Sequence, residues 1–289
     1  MPKRSKASGS CSPETRRVVT ELHLFKHVDM ARASGFEFAT LRGFVCTAAK
    51  PGREGPNEDA AALIALDDGS VVAVISDGAG GHPDGAVAAG LAVDAICASV
   101  ASVADPPQGL RSAIINGFEA ANRAIADLGT GAAATLAVVE VQGNTMRAYH
   151  AGDSVVAVVG QRGRIKWQNI PHSPVGYAVE AGLLDRGDAL HHEDLHLVSN
   201  LLGASDMRIE LGPPVPLAMR DTVLLASDGL SDNLHFDEIV ERIRKGPLSK
   251  AADALLTLGQ ARMAAPEGAA PSKPDDLAFI VLRQRHGRA

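Results

Sequence analysis

Seven short apolar runs, each closed by turn residues, limit what this chain can fold into. Ala60 to Leu66 and Val71 to Ile75 are separated by Asp67-Asp68-Gly69-Ser70, a hairpin signal with an Asp-Gly turn. Ala134 to Val141, Thr145 to His150 and Val155 to Val159 follow one another across Gln142-Gly143-Asn144 and Gly152-Asp153-Ser154. Thr222 to Ala226 and Leu277 to Arg283 complete the set. Runs this short and closely spaced favour antiparallel pairing, because a parallel crossover needs a dozen or more residues between strands. Phe36 to Thr47 is strand-like as well. Helical patterns fall between the clusters: Ala86 to Ala104, about Gln108 to Leu128, Phe236 to Arg244 and Ser249 to Met263. The pattern predicts an α+β fold with antiparallel sheets, not alternating βαβ units.

Residues 1 to about 35 are polar and without clear period, and read as a loosely ordered N-terminal extension with a short helix near Glu14 to Leu24. Residues 36–285 read as a single domain. The stretch from 171 to 195 is irregular and carries His172, His191 and His192, with His196 just beyond.

Composition narrows the function classes. Hydrophobic residues are 46% and charged residues 21% of the 289, enough apolar surface to fold and too much for a disordered chain. The net charge is −6 and aromatics are 3%, which disfavours both counterion-driven nucleic-acid binding and base stacking. The three cysteines (Cys11, Cys46, Cys97) form no CxxC, so a reducing, cytoplasmic setting is expected. The Ala86 to Ala104 stretch reads as a buried helix, not a membrane span. No apolar run follows the basic residues near the N-terminus, so no signal peptide is expected.

The chemistry-bearing residues sit where apolar strands meet loops. Glu58-Asp59 opens one run, Asp77-Gly78 follows VVAVIS, Asp228-Gly229 follows VLLAS, and Asp275-Asp276 precedes LAFIVL. Asp-Gly after a strand is most often only a turn. Four such carboxylate sites converging on one sheet edge would repel, and a hard divalent cation would neutralise them. An oxygen-only ligand set selects Mg²⁺ or Mn²⁺ over Zn²⁺.

Those residues also carry a resemblance. NEDA (57–60), SDGAGGHPDG (76–85), GAAATLAVV (131–139), GDS (152–154), HSPVG (172–176), LLASDGLSDNL (224–234) and DDLAFIV (275–281) occur in the order seen in type 2C metal-dependent protein phosphatases, the PPM family. The chain resembles the bacterial branch over roughly Phe36 to Arg283. The resemblance implies a central β-sandwich of two antiparallel sheets flanked by pairs of α-helices, with a two-metal site at one end. It implies that Asp77 bridges both metals and that the Gly78 carbonyl binds one of them. Asp228 and Asp275 would hold the first metal. Glu58 and Asp59 would hold the second, directly or through water. Asp153 matches a position tied to a third, weaker metal. The implied reaction is direct attack on phosphoserine or phosphothreonine in a protein by a hydroxide bridging two divalent metals. The implied partner is a phosphorylated protein, acted on opposite a Ser/Thr kinase by a monomer with no nucleic-acid or membrane role.

Some positions depart from the family pattern. Arg53 is the candidate for gripping phosphate, but it lies about one residue further from Asn57 than usual. Val155 stands where an Arg usually follows GDS. These departures leave one alternative, a catalytically weak regulator that keeps the fold and binds a phosphoprotein. Nucleotide binding at Gly78 to Pro83 is disfavoured, since Pro83 replaces the third glycine of the dinucleotide fingerprint and Asp77 would repel a pyrophosphate. His82 reads as structural or substrate-rim and His172 as loop-ordering. His191, His192 and His196 read as solvated, not as a zinc site.

Overall fold

The computed structural model describes residues 18–82, 84–102, 109–265 and 270–285. Two antiparallel sheets pack face to face. The first contains β1 (Val19–Lys26), β4 (Asp59–Leu66), β5 (Val71–Asp77), β6 (Leu136–Gln142), β7 (Thr145–Ala151) and β10 (Glu210–Leu211) in that spatial order, with β11 (Val215–Pro216) also on β7. The second runs β2 (Ser34–Glu37), β3 (Leu41–Ala48), β13 (Leu277–Gln284), β12 (Thr222–Ala226), β8 (Val155–Val159) and β9 (Ile165–Gln168). Helices α1 (Gly85–Ala101) and α2 (Gly109–Ala126) cover the first sheet. Helices α6 (Phe236–Ile243) and α7 (Leu248–Met263) cover the second. Three shorter helices, α3 (Pro174–Glu180), α4 (Arg186–Ala189) and α5 (Asp228–Ser231), lie at one end.

The layering explains why the strands read as unbroken apolar runs. Along β4, Ala60, Ala62 and Ile64 face α1 and α2, while Ala61, Leu63 and Ala65 face the other sheet. A strand covered on both faces needs no polar alternation, a pattern usually seen in parallel sheets. Leu63, Ile64, Ile75, Leu225 and Ile280 are fully buried, and each such side chain is worth about 1.5–3 kcal/mol of transfer free energy.

The N-terminal expectation is corrected. Val19–Lys26 is an edge strand paired with β4 from Val19↔Leu66 to Lys26↔Ala60, and no helix forms over the described part of Glu14 to Leu24. Residues 1–17 lie outside the described residues. Leu22 and Leu24 are exposed while Phe25 packs on Phe36, so the strand's apolar residues do not share a face and give no periodic signal. Lys26 anchors it to α1 through Asp94, at 2.8 Å. Ser34–Glu37 also belongs to the sandwich, as β2.

The stretch read as irregular contains α3 and α4. Ser173 caps α3 by accepting from the Gly176 amide at 2.9 Å, with Pro174 in the first turn. That Ser-Pro start is a standard helix signal. The runs at β9, β10 and β11 are too short for periodicity to reveal.

Candidate metal centre

The acidic residues converge because antiparallel pairing puts the right strand ends together. Asp59 opens β4 and Asp77 ends β5, and the two are direct register partners. Asp228 follows β12, and Asp275 precedes β13. These strands pair with Ala226 opposite Phe279, which returns Asp228 and Asp275 to the same edge. The edges of the two sheets meet through Ser227, whose hydroxyl donates to Asp59 Oδ2 at 2.7 Å.

Two close backbone approaches hold this end together. Gly78 lies against Gly85, where a Cβ would collide with the Gly85 carbonyl. Its amide donates to the Glu58 carbonyl at 3.1 Å. Gly229 lies against Asp276, where a Cβ would collide with the Asp276 carbonyl. Glycine is therefore required after both Asp77 and Asp228 by contact, not by turn geometry. Thr135 fixes Asp77 from the far side: its amide donates to the Asp77 carbonyl at 2.8 Å, and its Oγ1 accepts from the Asp77 amide at 3.2 Å.

The carboxylates feel one another. Burial, then the charges of Asp59, Asp228, Asp153 and Asp275, push Asp77 well above the ordinary carboxylate range. Burial also dominates at Asp59, where the Ser227 hydrogen bond opposes it and Asp228, Asp276 and Asp275 reinforce it. Burial and Asp228 raise Asp153 to about 7 and Asp275 to about 6. Asp232, one helical turn after Asp228, is likewise pushed well up by burial and by Asp228. Lys273 is the cation set among them, with Nζ 2.7 Å from Asp228 Oδ2 and 2.8 Å from Asp232 Oδ2. Asn233 pins the Lys273 backbone at both its amide (2.8 Å) and its carbonyl (2.7 Å). One ammonium does not balance six carboxylates.

The donor set fits a divalent ion. It is all oxygen, which suits Mg²⁺ or Mn²⁺. Asp59 Oδ1 is buried without a hydrogen-bond partner, and such an orphan acceptor is costly unless a cation or water meets it.

Not every predicted residue joins the cluster as expected. Arg53 is largely buried and paired with carboxylates. Its NH2 lies 2.8 Å from Glu58 Oε2, its NH1 lies 2.7 Å from Asp276 Oδ2, and its Nε donates to the Pro56 carbonyl at 2.7 Å. The longer loop lets it fold back onto the carboxylates instead of reaching outward. Glu58 is thereby engaged by Arg53. Asp276 accepts from the Lys50 amide at 2.9 Å and the Glu58 amide at 2.7 Å, so it braces the 50–58 loop. The sequence reading missed Asp232, Ser227 and Lys273. The Asp228/Asp232 spacing was a usable signal for the first, while a lone Lys in a Pro-rich loop offered none.

The histidines sit apart. Among the described residues, the group whose ligand atoms all lie within 4.8 Å of one another is His150, His172 and Glu210, not the acidic cluster. Its hydrogen bonds argue against a metal. His172 Nδ1 accepts from the Gly152 amide (3.2 Å) and from Asn200 Nδ2 (2.8 Å), leaving Nε2 to donate to Glu210 at 3.0 Å. A ligating imidazole needs its second nitrogen to donate, not accept. The ring stacks on His150, which burial and then His172 lower to about 4. His82 Nδ1 contacts the Gly131 carbonyl at 2.9 Å. His192 Nδ1 accepts from the Asp194 amide at 3.1 Å.

A cleft of about 490 Å³ opens beside the acids, with Asp153, Asp228 and Asp232 at one end and Val175, Leu190 and Phe236 in its wall.

This fold and this centre define a metal-dependent phosphatase. The family model described as Protein phosphatase 2C matches residues 50–258, and the chain belongs to that family. Protein phosphatase PhpP of Streptococcus pneumoniae is 29% identical over 199 residues, covering 65% of this chain and 79% of PhpP. A serine/threonine phosphatase structure from S. agalactiae superposes with a TM-score of 0.72 at 24% identity, over 84% of this chain and 99% of that one. The catalytic domain of serine threonine protein phosphatase PstP, solved with two manganese ions, gives 0.63 at 24% identity, over 85% and 98%. The chain is thus a metal-dependent protein serine/threonine phosphatase of the 2C class. Among the described residues no helix is long and apolar enough to cross a membrane.

Proposed function

We propose that Asp59, Asp77, Asp153, Asp228, Asp275 and the Gly78 carbonyl hold Mg²⁺ or Mn²⁺ in this protein, two core ions and a weaker third. Such ions, when bound, supply a nucleophile at neutral pH and clamp phosphate oxygens. The chain's own groups do the rest. Asp77 and Asp59, from one sheet, and Asp228 and Asp275, from the other, fix the centre at both edges. Ser227 holds one oxygen of Asp59 and leaves the other facing inward. Arg53 keeps Glu58 beside the centre. The cleft next to Asp153 and Asp228 takes the residues flanking the phosphorylated side chain. The substrate is a phosphoserine or phosphothreonine protein, modified by an opposing kinase, and the enzyme works as a cytoplasmic monomer.

The unpartnered, buried Asp59 Oδ1 among mutually repelling carboxylates carries this reading. Hydrolysis of a phosphothreonine peptide, with Mn²⁺ and with chelator, tests it. Metal-dependent release of phosphate is expected. Absence of turnover at any metal concentration would favour the phosphoprotein-binding regulator instead.

A further inference from the structure

The sandwich end opposite the carboxylates carries the reverse charge. A pocket of about 230 Å³ opens there, lined by Arg42, Arg220, Arg244, Lys245 and Arg283, with no acidic residue in its wall. Strand register sets its place. Arg283 pairs with Arg42, whereas Leu277, at the other end of the same strand, pairs with Ala48 beside the acidic loops. Six strand residues separate the two ends by roughly 20 Å.

In a chain of net charge −6, five cations around one concavity are a departure from the average surface. Like charges directly opposite in a sheet destabilise it, and the Arg42–Arg283 pair is such a case. On its other side Arg42 lies opposite Glu37 of β2, whose carboxylate is engaged by Arg285 at 3.1 Å. Arg283 donates only to neutral acceptors: Gly246 O at 2.7 Å, Ile243 O at 2.7 Å and Thr222 Oγ1 at 2.8 Å. Arg244 Nε lies 2.8 Å from Glu241 Oε1 but is not aligned for a hydrogen bond. Gln161 receives both Arg220, on its side-chain oxygen at 3.2 Å, and Arg244, on its carbonyl at 3.3 Å. Arg42, Arg220 and Lys245 have no ion pair among the described residues. A purely structural role covers Arg283, which caps the last carbonyls of α6. Arg244 and Arg220 are held by Glu241 and Gln161, but no such contact covers Arg42 or Lys245 among the described residues.

We propose that this pocket binds a phosphate-bearing anion, at a site separate from the carboxylate centre. Guanidinium forks match phosphate oxygens in geometry as well as charge. The volume is below the ~300 Å³ at which drug-sized ligand sites begin, so the pocket takes a phosphate group rather than a whole nucleotide. A free anion and a phosphorylated side chain offer the same group. The proposal does not depend on which residues hold metal.

The test is a titration of the full chain, loaded with Mg²⁺, followed by NMR at the arginine Nε–Hε signals of Arg244 and Arg283. Inorganic phosphate is one probe and a non-hydrolysable phosphonate analogue of a phosphoserine peptide is the other. Saturable shifts are expected, with the midpoint raised at least tenfold in the Arg42→Gln/Lys245→Gln variant. Both residues are exposed and unpaired, so the variant keeps its fold and its turnover of a small phosphate ester. A lower midpoint for the peptide assigns the site to protein-borne phosphate, and a lower one for inorganic phosphate assigns it to the free ion. Shifts that never saturate, or midpoints identical in wild type and variant, would overturn the proposal.

Discussion

Lys273 places its ammonium 2.7 Å from Asp228 Oδ2 and 2.8 Å from Asp232 Oδ2, inside a cluster of buried carboxylates. Burial opposes its charge, yet Asp228 and Asp232 raise it above the ordinary lysine value. Lys273→Met leaves both acids unpaired. Breaking a fully buried pair costs about 3–5 kcal/mol. Lys273 is 29% exposed, so a loss nearer 2 kcal/mol is expected, or roughly 4–8 °C in Tm. Added Mn²⁺ should shrink the deficit, since the ion supplies the missing charge. Melting curves with and without metal check this; an equal deficit in both would contradict it.

Acidity should stabilise the metal-free protein. Asp153 and Asp275 have folded values of about 7 and about 6, both above the unfolded value of 3.8. Between 3.8 and 7 the folded state therefore binds more protons than the unfolded one, and stability falls as pH rises through that window. With chelator present, Tm should be higher at pH 5 than at pH 8. With saturating Mg²⁺ at pH 8 the loss should be recovered. A Tm independent of pH in chelator would refute the repulsion described here.

Asp77→Asn should separate activity from stability. The substitution keeps the shape and removes one charge from the site facing Asp59, Asp228, Asp153 and Asp275. Turnover should fall at least a hundredfold, from loss of metal affinity. The metal-free variant should melt above the metal-free wild type at pH 8, because one repelling charge is gone. Paired kinetics and calorimetry decide it, and a variant less stable than wild type in chelator would count against the charge argument.

Arg53→Gln should act mainly on stability. Arg53 is 11% exposed and bridges Glu58 to Asp276. Removing it strands a buried carboxylate, at a cost of about 3 kcal/mol. If its role is bracing, Arg53→Lys should recover part of the Tm and KM should change little once metal is saturating. A large rise in KM with Tm unchanged would instead make it a phosphate grip. Chemical denaturation beside steady-state kinetics separates the two.

How much of this was legible in the sequence varied with the physics involved. Buried strands such as β4 and β5 announced themselves through unbroken apolar runs, because both faces are covered. The edge strand β1 did not, because Leu22 and Leu24 point outward. The acidic positions were legible as strand-end carboxylates, and the family resemblance gave them roles. What no local pattern carried was partnership across the chain. Glu58 and Asp276 are 218 residues apart, and nothing near either one shows that Asp276 braces a loop. The contacts of Arg53 with Glu58 and Asp276 were hidden for the same reason: they are set by folding, not by spacing.

Asp59 and Ser227 join the two sheets across 168 residues of sequence, and β13 lies in the interior of the second sheet, between β3 and β12. The carboxylate centre therefore cannot be half-built. A nascent chain carrying Glu58, Asp59 and Asp77 presents only one wall until Asp275 and β13 have been synthesised and have slotted between strands made long before. The full carboxylate set comes together only when segments from both halves of the sequence have met.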